Sequence, residues 1–258
     1  MDPELDLHRI DLWCAFVSDV RDEALWARYE ALSSPAERAR RRRLRFERDR
    51  RRDRLTRALV RTVLSRYAPA APEEWVFTSD ERGRPRIAGP GPPLPMDFNI
   101  SHSGDLVAVA LAGARVGIDV ENFVAREVDV GSLHRYFAPR ERASLLELPT
   151  QARRRRFFEL WTLKESYLKA RGVGLGLPLE SFAFDLTTEG AIALAFDSAL
   201  GDSPERWRLW QLALRGQFLL AICAERAAGR PAKLRIREVV PLSRDEEIEV
   251  PVERASEP

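Results

Sequence analysis

Two acidic side chains stand one residue apart in the segment Val116–Glu121, which reads Val-Gly-Ile-Asp-Val-Glu. If this segment is a strand, Asp119 and Glu121 project from the same face. Two carboxylates on one face repel each other, and a hard dication with a preference for oxygen ligands, such as Mg²⁺, would remove that repulsion. The same spacing also arises by chance at solvated strand ends, so the pair alone is equally typical of two exposed acids.

A third carboxylate, Glu165, lies in an amphipathic segment that predicts a long helix. Trp161, Glu165 and Lys169 are four residues apart and share one stripe of that helix. Glu165 and Lys169 could simply form an exposed ion pair worth roughly 0.3–0.5 kcal/mol. The neighbouring Trp161 favours another arrangement, because a carboxylate beside a bulky aromatic ring needs a partner to offset the loss of hydration.

The turn Ser101-His102-Ser103-Gly104 brings hydroxyl, imidazole and backbone donors together in a tight bend. Several convergent donors suit a phosphate group. An ordinary hairpin turn with His102 on the surface would have the same composition, and both interpretations stay open at this point.

Residues 38–57 contain twelve arginines, and their charges surround the predicted helix instead of marking one face. Such a helix is usually solvated, although an arginine fork can also bind phosphate. A nucleic-acid-binding module is the alternative function. Four acidic residues within or next to the run, and the lack of an aromatic stacking motif, argue against nucleic acid; they are Glu37, Glu47, Asp49 and Asp53.

The predicted elements place these residues in two halves, each with a helical part followed by a small sheet. Ser34-Pro35, with Glu37 behind it, predicts the start of one long helix that runs to Tyr67. Residues 98–100, 106–111 and 116–120 predict three consecutive strands of an antiparallel meander. The later part predicts helices at 139–148 and 151–171, strands at 182–184, 192–196, 207–214 and 218–223, and a frayed polar end at 243–258.

The composition is that of a globular protein of 258 residues with a net charge of only +2. Cys14 and Cys223 are far apart and form neither a metal-binding pair nor a disulfide framework. The first residues lack the basic and apolar regions of a signal peptide, and the longest apolar runs are too short to span a bilayer. We therefore expect a cytoplasmic protein without a membrane span.

The order and spacing of these segments are more specific than any one of them. F-N-I-S-H-S-G, V-G-I-D-V-E, F-F-x-x-W-T-L-K-E-S-Y-x-K and G-x-G-L-x-L-P follow one another between Phe98 and Phe184, and in this order they resemble the Sfp type of 4'-phosphopantetheinyl transferase. The resemblance implies an α+β fold of two similar subdomains related by a pseudo-twofold axis, each a small, mostly antiparallel sheet with a long helix. We expect the subdomains at residues 1–121 and 122–242, with a polar tail at 243–258.

The resemblance also implies an activity and a set of site residues. The family transfers the phosphopantetheine arm of coenzyme A to a serine of an apo acyl or peptidyl carrier protein, with Mg²⁺ as metal and adenosine 3',5'-bisphosphate as the second product. Glu37 stands where the family has a basic contact. By matching motifs, the expected metal ligands are Asp119, Glu121 and Glu165, the expected catalytic residues Glu165, Lys169 and His102, and the expected coenzyme A contacts Arg40, Arg52, Arg84, Pro85, Ser101, His102 and Lys169.

The expected partners are coenzyme A and the carrier protein, without nucleic acid or membrane, and the chain is expected to be a monomer. Glu165 could be metal ligand, general base or both, and Mn²⁺ accepts the same oxygen ligands as Mg²⁺. Docking of the carrier protein is expected on the second half, where Phe123, Phe137 and Leu145 are apolar candidates. An inactive relative that binds coenzyme A and a Mg²⁺-dependent nuclease or phosphatase are further alternatives.

Overall fold

The computed structural model of the chain describes residues 9–91, 95–226 and 232–257. These residues form an α+β fold, as predicted, with two larger sheets and two small hairpins. The strands are β1 (Arg9–Phe16), β2 (Val76–Ser79), β3 (Pro85–Gly89), β4 (Asp97–Ser103), β5 (Leu106–Ala112), β6 (Val116–Asn122), β7 (Phe182–Asp185), β8 (Ala193–Phe196), β9 (Trp207–Leu214), β10 (Phe218–Glu225), β11 (Lys233–Val240), β12 (Arg244–Glu247) and β13 (Val252–Ala255). The helices are α1 (Glu23–Ala31), α2 (Pro35–Arg42), α3 (Glu47–Leu64), α4 (Val130–Leu133), α5 (Pro139–Glu147) and α6 (Thr150–Arg171).

The two larger sheets pack face to face between helices. The first has the strand order β12-β11-β1-β5-β4 and the second β13-β9-β10-β6. Alternation along β1 sends Leu12 and Cys14 into the core between the sheets, and Trp13 and Ala15 into the core under α1 and α3. Helix α6 covers the outer face of the second sheet. The layers are therefore helix, sheet, sheet, helix; the symmetry axis and the subdomain boundaries remain predictions.

Strand β6 lies outside the meander in which it was predicted. It pairs antiparallel with β10 in the second sheet, whereas β4 and β5 form a hairpin in the first. Pattern and turn length cannot specify this pairing. Strand β10 follows β6 by about a hundred residues, and its apolar residues make it as suitable a partner for β6 as β5 is. The consequence is functional, since the acidic pair of β6 faces α6.

The arginine-rich segment forms two helices where one was predicted. The predicted capping box is present, with the Ser34 backbone N–H 2.8 Å from the Glu37 carboxylate and the Glu37 N–H 3.2 Å from the Ser34 hydroxyl. The helix then stops, and α2 folds back so that buried Arg41 donates to Asp53 at 2.8 Å. In one continuous helix these two residues would be about 18 Å apart. The long-range ion pair therefore requires the break.

The C-terminal residues are more ordered than predicted. Residues 244–247 and 252–255 form β12 and β13, so the expectation of a frayed end was wrong for them. Both are edge strands, whose exposed side is compatible with a polar sequence. In the part of the chain that the structure describes, no helix has the length and apolar content to cross a bilayer.

Candidate active site

Strand β4 is an edge strand of the first sheet and β6 an edge strand of the second. The two strands are joined by side chains and not by backbone pairing: the side chain of every second β4 residue accepts a hydrogen bond from a backbone N–H of β6. Since both strands repeat every two residues, this series of hydrogen bonds determines which β6 side chains face α6. The acceptor–donor pairs are Asp97–Val116 at 3.0 Å, Asn99–Ile118 at 3.0 Å, Ser101–Val120 at 3.2 Å and Ser103–Asn122 at 3.0 Å.

Gly117 lets helix α6 approach β6 closely. A Cβ atom at this position would lie 2.1 Å from the carbonyl oxygen of Ser166 and 2.3 Å from the backbone nitrogen of Ala170. Real Cβ atoms do not approach backbone so closely, so only glycine fits without moving the helix. The acidic residues two and four positions later share this face of β6 and therefore lie against the helix that carries Glu165 and Lys169.

Lys169 joins the two elements at the site. Its ammonium lies 2.6 Å from Asp119 Oδ1, 3.2 Å from the Ser101 hydroxyl and 3.0 Å from the Ile118 carbonyl oxygen. Its ion pair is therefore made with Asp119 on β6 and not with Glu165 on its own helix. This brings Ser101, Asp119 and Lys169, which were predicted separately, into one cluster.

The carboxylates of the cluster interact electrostatically. Desolvation raises the pKa of Glu165, and the negative charges of Asp119 and Glu121 raise it further against the opposing effect of Lys169. Desolvation also raises the pKa of Glu121, although Arg126 donates a hydrogen bond to it and acts in the opposite direction. Buried like charges of this kind are stabilised by a cation.

The carboxylate oxygens of this cluster suit a hard dication as ligands, and Asp119 provides the clearest evidence for such a site. Its Oδ2 atom is buried and has no hydrogen-bond partner, whereas Oδ1 is bound to Lys169 and Ser101. Among the described residues, no three His, Cys, Asp or Glu side chains already stand at metal-ligand spacing. Lys169 and Arg126 occupy carboxylate oxygens in this arrangement.

Ser101, His102 and Ser103 form the end of β4 and not the turn that was predicted for them, which begins at Gly104. The imidazole of His102 lies on the other side of this strand from Ser101 and Ser103. Desolvation lowers the pKa of His102, and the charge of Arg52 lowers it further. Arg52 donates to the Gly104 carbonyl oxygen at 3.3 Å, which brings the predicted pair His102 and Arg52 together at this turn.

A cleft of about 580 Å³ opens beside the turn. It is basic at its rim, because three arginines from two different segments border it. Its lining comprises Val17, Arg48, Asp49, Arg52, Ser103, Gly104, Asp105, Asn122, Ala125 and Arg126.

Comparison with known proteins identifies the family of the chain. Residues 115–223, which contain all three acids and Lys169, match the 4'-phosphopantetheinyl transferase superfamily. Residues 21–114 match the N-terminal part of 4'-phosphopantetheinyl transferases. The chain belongs to the 4'-phosphopantetheinyl transferase family. It is a transferase of the Sfp type.

Relatives of this transferase share about a third of its residues. The 4'-phosphopantetheinyl transferase Sfp of Bacillus subtilis is 32% identical over 198 residues, which are 76% of this chain and 84% of that protein. A phosphopantetheinyl transferase of Thraustochytrium is 34% identical over 202 residues, covering 74% of this chain and 70% of the relative. A 4'-phosphopantetheinyl transferase of Bacillus pumilus is 31% identical over 187 residues, covering 72% and 76%.

Arg84 of the transferase was predicted to contact the nucleotide, and the structure shows its guanidinium bound to protein. It donates to the Lys169 carbonyl oxygen at 2.5 Å, the Asp97 carboxylate at 2.7 Å and the Val116 carbonyl oxygen at 3.0 Å. Arg84 therefore ties the end of α6 to the start of β6. The nucleotide contacts of Arg84 and of half-buried Pro85 remain predictions.

The other predicted coenzyme A contacts are also engaged with protein. Arg40 is exposed and pairs with Asp53 at 3.1 Å. Arg52 pairs with Asp49 at 2.8 Å and stays within reach of the cleft. Arg40 and Arg52 therefore differ in setting, since only Arg52 borders the turn that follows β4.

Two of the apolar docking candidates belong to the core instead. Phe137 is 1% exposed and Leu145 is fully buried, which excludes both from a surface contact in this structure. Phe123 is half-buried and lies 5.1 Å beneath the guanidinium of Arg155. The docking surface thus has no support from these three residues as a group.

Sequence reasoning missed several residues that shape the site. Arg126 binds Glu121 and was not predicted, whereas Ser103 was predicted as a phosphate donor and its contact with Glu121 was missed. Lys164 was also missed: it is fully buried in α6 and pairs at 2.9 Å with equally buried Glu141 of α5. Its ammonium also donates to the carbonyl oxygens of Leu179 and Phe182, so Lys164 stabilises the packing of α6.

Proposed function

We propose that this transferase moves the 4'-phosphopantetheine arm of coenzyme A to a serine hydroxyl of an apo acyl or peptidyl carrier protein, with Mg²⁺ as metal. In this reaction the serine oxygen forms a bond to the β-phosphorus of coenzyme A. The bond from that phosphorus to the bridging oxygen breaks, and adenosine 3',5'-bisphosphate leaves. The observation that carries the proposal is that Ser101 of β4, Asp119 of β6 and Lys169 of α6 meet in one cluster, with Glu165 close enough to interact electrostatically with Asp119.

The metal would be held by Asp119, Glu121 and Glu165. The unpartnered, buried Oδ2 of Asp119 and the raised pKa values of both glutamates support these residues as its ligands. When bound, Mg²⁺ would polarise the phosphate oxygens and offset their negative charge.

Glu165 is the proposed proton acceptor for the serine hydroxyl as well as a ligand. Glu165 lies on α6 one turn before Lys169 and interacts electrostatically with Asp119, which places it in the cluster that would receive the serine. A positioned carboxylate can accept a proton as the hydroxyl attacks. The hydroxyl proton would thus move to Glu165 as the serine oxygen attacks.

Lys169 and His102 would supply positive charge or hydrogen bonds to the phosphate oxygens and to the leaving group. Lys169 holds its position through its contacts to β4 and β6, and 28% of its side chain is exposed. Preorganised donors of this kind typically contribute about 10²–10³ in rate.

The alternative is a nucleic-acid-binding module, and the ion pairs around α2 and α3 argue against it. Seven of the twelve arginines of residues 38–57 pair with carboxylates of α1, α2 or α3, which lowers the charge available to a polyanion. We therefore propose no nucleic-acid partner. We also propose no membrane partner and a cytoplasmic monomer. The pairs include Arg41–Glu30, Arg41–Asp53, Arg50–Glu47, Arg52–Asp49, Arg54–Glu30, Arg57–Glu37 and Arg61–Glu37.

The experiment is incubation of the purified chain with coenzyme A, Mg²⁺ and a panel of apo carrier proteins, read by intact-mass spectrometry. We expect at least one carrier protein to gain the mass of one phosphopantetheine arm, and its serine-to-alanine variant to gain none. Binding of coenzyme A without conversion of any carrier protein would support the inactive-scaffold alternative instead.

A further inference from the structure

The hydroxyl of Ser101 is fully engaged with neighbouring groups in this structure. A serine hydroxyl has one donor and two acceptor positions. The Ser101 oxygen accepts from the Val120 N–H at 3.2 Å and from Lys169 at 3.2 Å, and it donates to Asp119 Oδ1 at 3.2 Å. All three positions are used within the protein.

Ser103 repeats this arrangement one step further along the strand. Its hydroxyl accepts from the Asn122 N–H at 3.0 Å and donates to Glu121 Oε2 at 3.2 Å. Each serine of the Ser-His-Ser segment therefore binds one carboxylate of the Asp-Val-Glu segment. In both pairs the serine and the acid are 18 residues apart, as expected for two strands in parallel alignment.

Each hydroxyl binds one oxygen of its carboxylate and does not contact the second oxygen. On Asp119 the unpartnered oxygen is the buried Oδ2. On Glu121 the other oxygen, Oε1, is bound by Arg126, whose side chain is 54% exposed and can leave without opening the core.

We propose that Ser101 and Ser103 are positioning residues that orient the carboxylates of Asp119 and Glu121 toward a divalent cation. This rests on the proposed function for the presence of the cation. The imidazole of His102 between them projects to the opposite side of β4, so its two neighbours share the face that carries the carboxylate contacts.

The test measures binding of Mn²⁺, followed by electron paramagnetic resonance, to the full chain without coenzyme A or carrier protein. Loss of a partner that orients a metal ligand typically weakens metal binding by about 10–100-fold. We expect Ser103→Ala and Ser101→Ala to weaken Mn²⁺ binding by about that factor. Ser103→Thr, which keeps the hydroxyl, is expected to bind Mn²⁺ like the wild type. Ser203→Ala is the matched control, because Ser203 donates to Glu205 on the surface, away from the site.

Wild-type-like Mn²⁺ affinity in Ser103→Ala would overturn the positioning role while leaving the proposed function intact. A wild-type chain that binds no Mn²⁺ would overturn both. Because the Mn²⁺ titration requires no turnover, absence of transfer to a carrier protein contradicts only the proposed function.

Discussion

Among single residues, the three lysines of the chain each have a different environment. They are a small minority of its 42 lysine and arginine residues. Lys164 is buried against Glu141, Lys233 is exposed on β11, and Lys169 lies at the site. A compact ammonium can donate in three directions from one atom, as Lys169 does toward β4 and β6. The planar guanidinium of arginine has a different geometry and cannot make the same three contacts.

We therefore expect Lys169→Met and Lys169→Arg both to lower the turnover number for transfer to a carrier protein by about 10²–10³. Lys233→Met, at an exposed position outside the site, should leave the rate unchanged. Initial rates at saturating coenzyme A and Mg²⁺ provide the measurement. Near-normal turnover by Lys169→Arg would mean that positive charge alone is required and that the three-way contact is not.

Among the elements, the contact between β6 and α6 determines the geometry of the site. The two segments meet backbone to backbone at Gly117, and this brings the acids of the strand next to Glu165 and Lys169 of the helix. Overpacking of a buried contact typically costs about 1–3 kcal/mol. A methyl group at this position would also move the two elements apart.

Gly117→Ala is accordingly expected to lower the free energy of unfolding by about 1–3 kcal/mol or more and to abolish most of the transfer activity. Chemical denaturation and the intact-mass assay measure the two effects. Gly91→Ala is the control, because a Cβ atom there meets no atom of the described residues within 4 Å. A stable and fully active Gly117→Ala protein would contradict the role of this contact.

Local signals predicted the elements well, and long-range contacts account for the errors. The capping box of Ser34 and Glu37 depends on neighbouring residues only, and it was correct. The break after α2 depends on the ion pair of Arg41 with Asp53, and the sheet that β6 joins depends on β10. No periodicity in the sequence contains that information.

For the site, motif spacing predicted the residues but not their partners. Asp119, Glu165 and Lys169 came from matched segments, whereas the pairing of each serine with one acid follows from the parallel alignment of β4 and β6. Arg84 illustrates the opposite case, since a residue predicted near the nucleotide is bound to protein carbonyl oxygens.

In the molecule as a whole, the first described strand pairs with a strand from the C-terminal part of the chain. Strand β11, from the C-terminal part, pairs parallel with β1, and its Ile236 lies opposite Leu12. Ile236 is 6% exposed and packs in the core between the two sheets. This arrangement makes the stability of the first sheet dependent on residues more than two hundred positions away.

We expect Ile236→Ala to lower the free energy of unfolding by about 2–5 kcal/mol and to shift a single cooperative transition as a whole. Half-buried Leu234, two residues earlier on the same strand, provides the control, and Leu234→Ala should have a smaller effect. Fluorescence and circular dichroism during urea denaturation report the transition. Two separate transitions, of which only one moves, would show that the sheets unfold independently.

The central claim is that the acids on β6 and α6 form the site of phosphopantetheine transfer. Its most direct test is Asp119→Ala, incubated with coenzyme A, Mg²⁺ and an apo carrier protein that the wild type converts, with exposed Asp197→Ala as control. The account predicts a folded protein by circular dichroism and no conversion to holo carrier protein by intact mass, while the control converts it fully. Full conversion by Asp119→Ala would contradict the account.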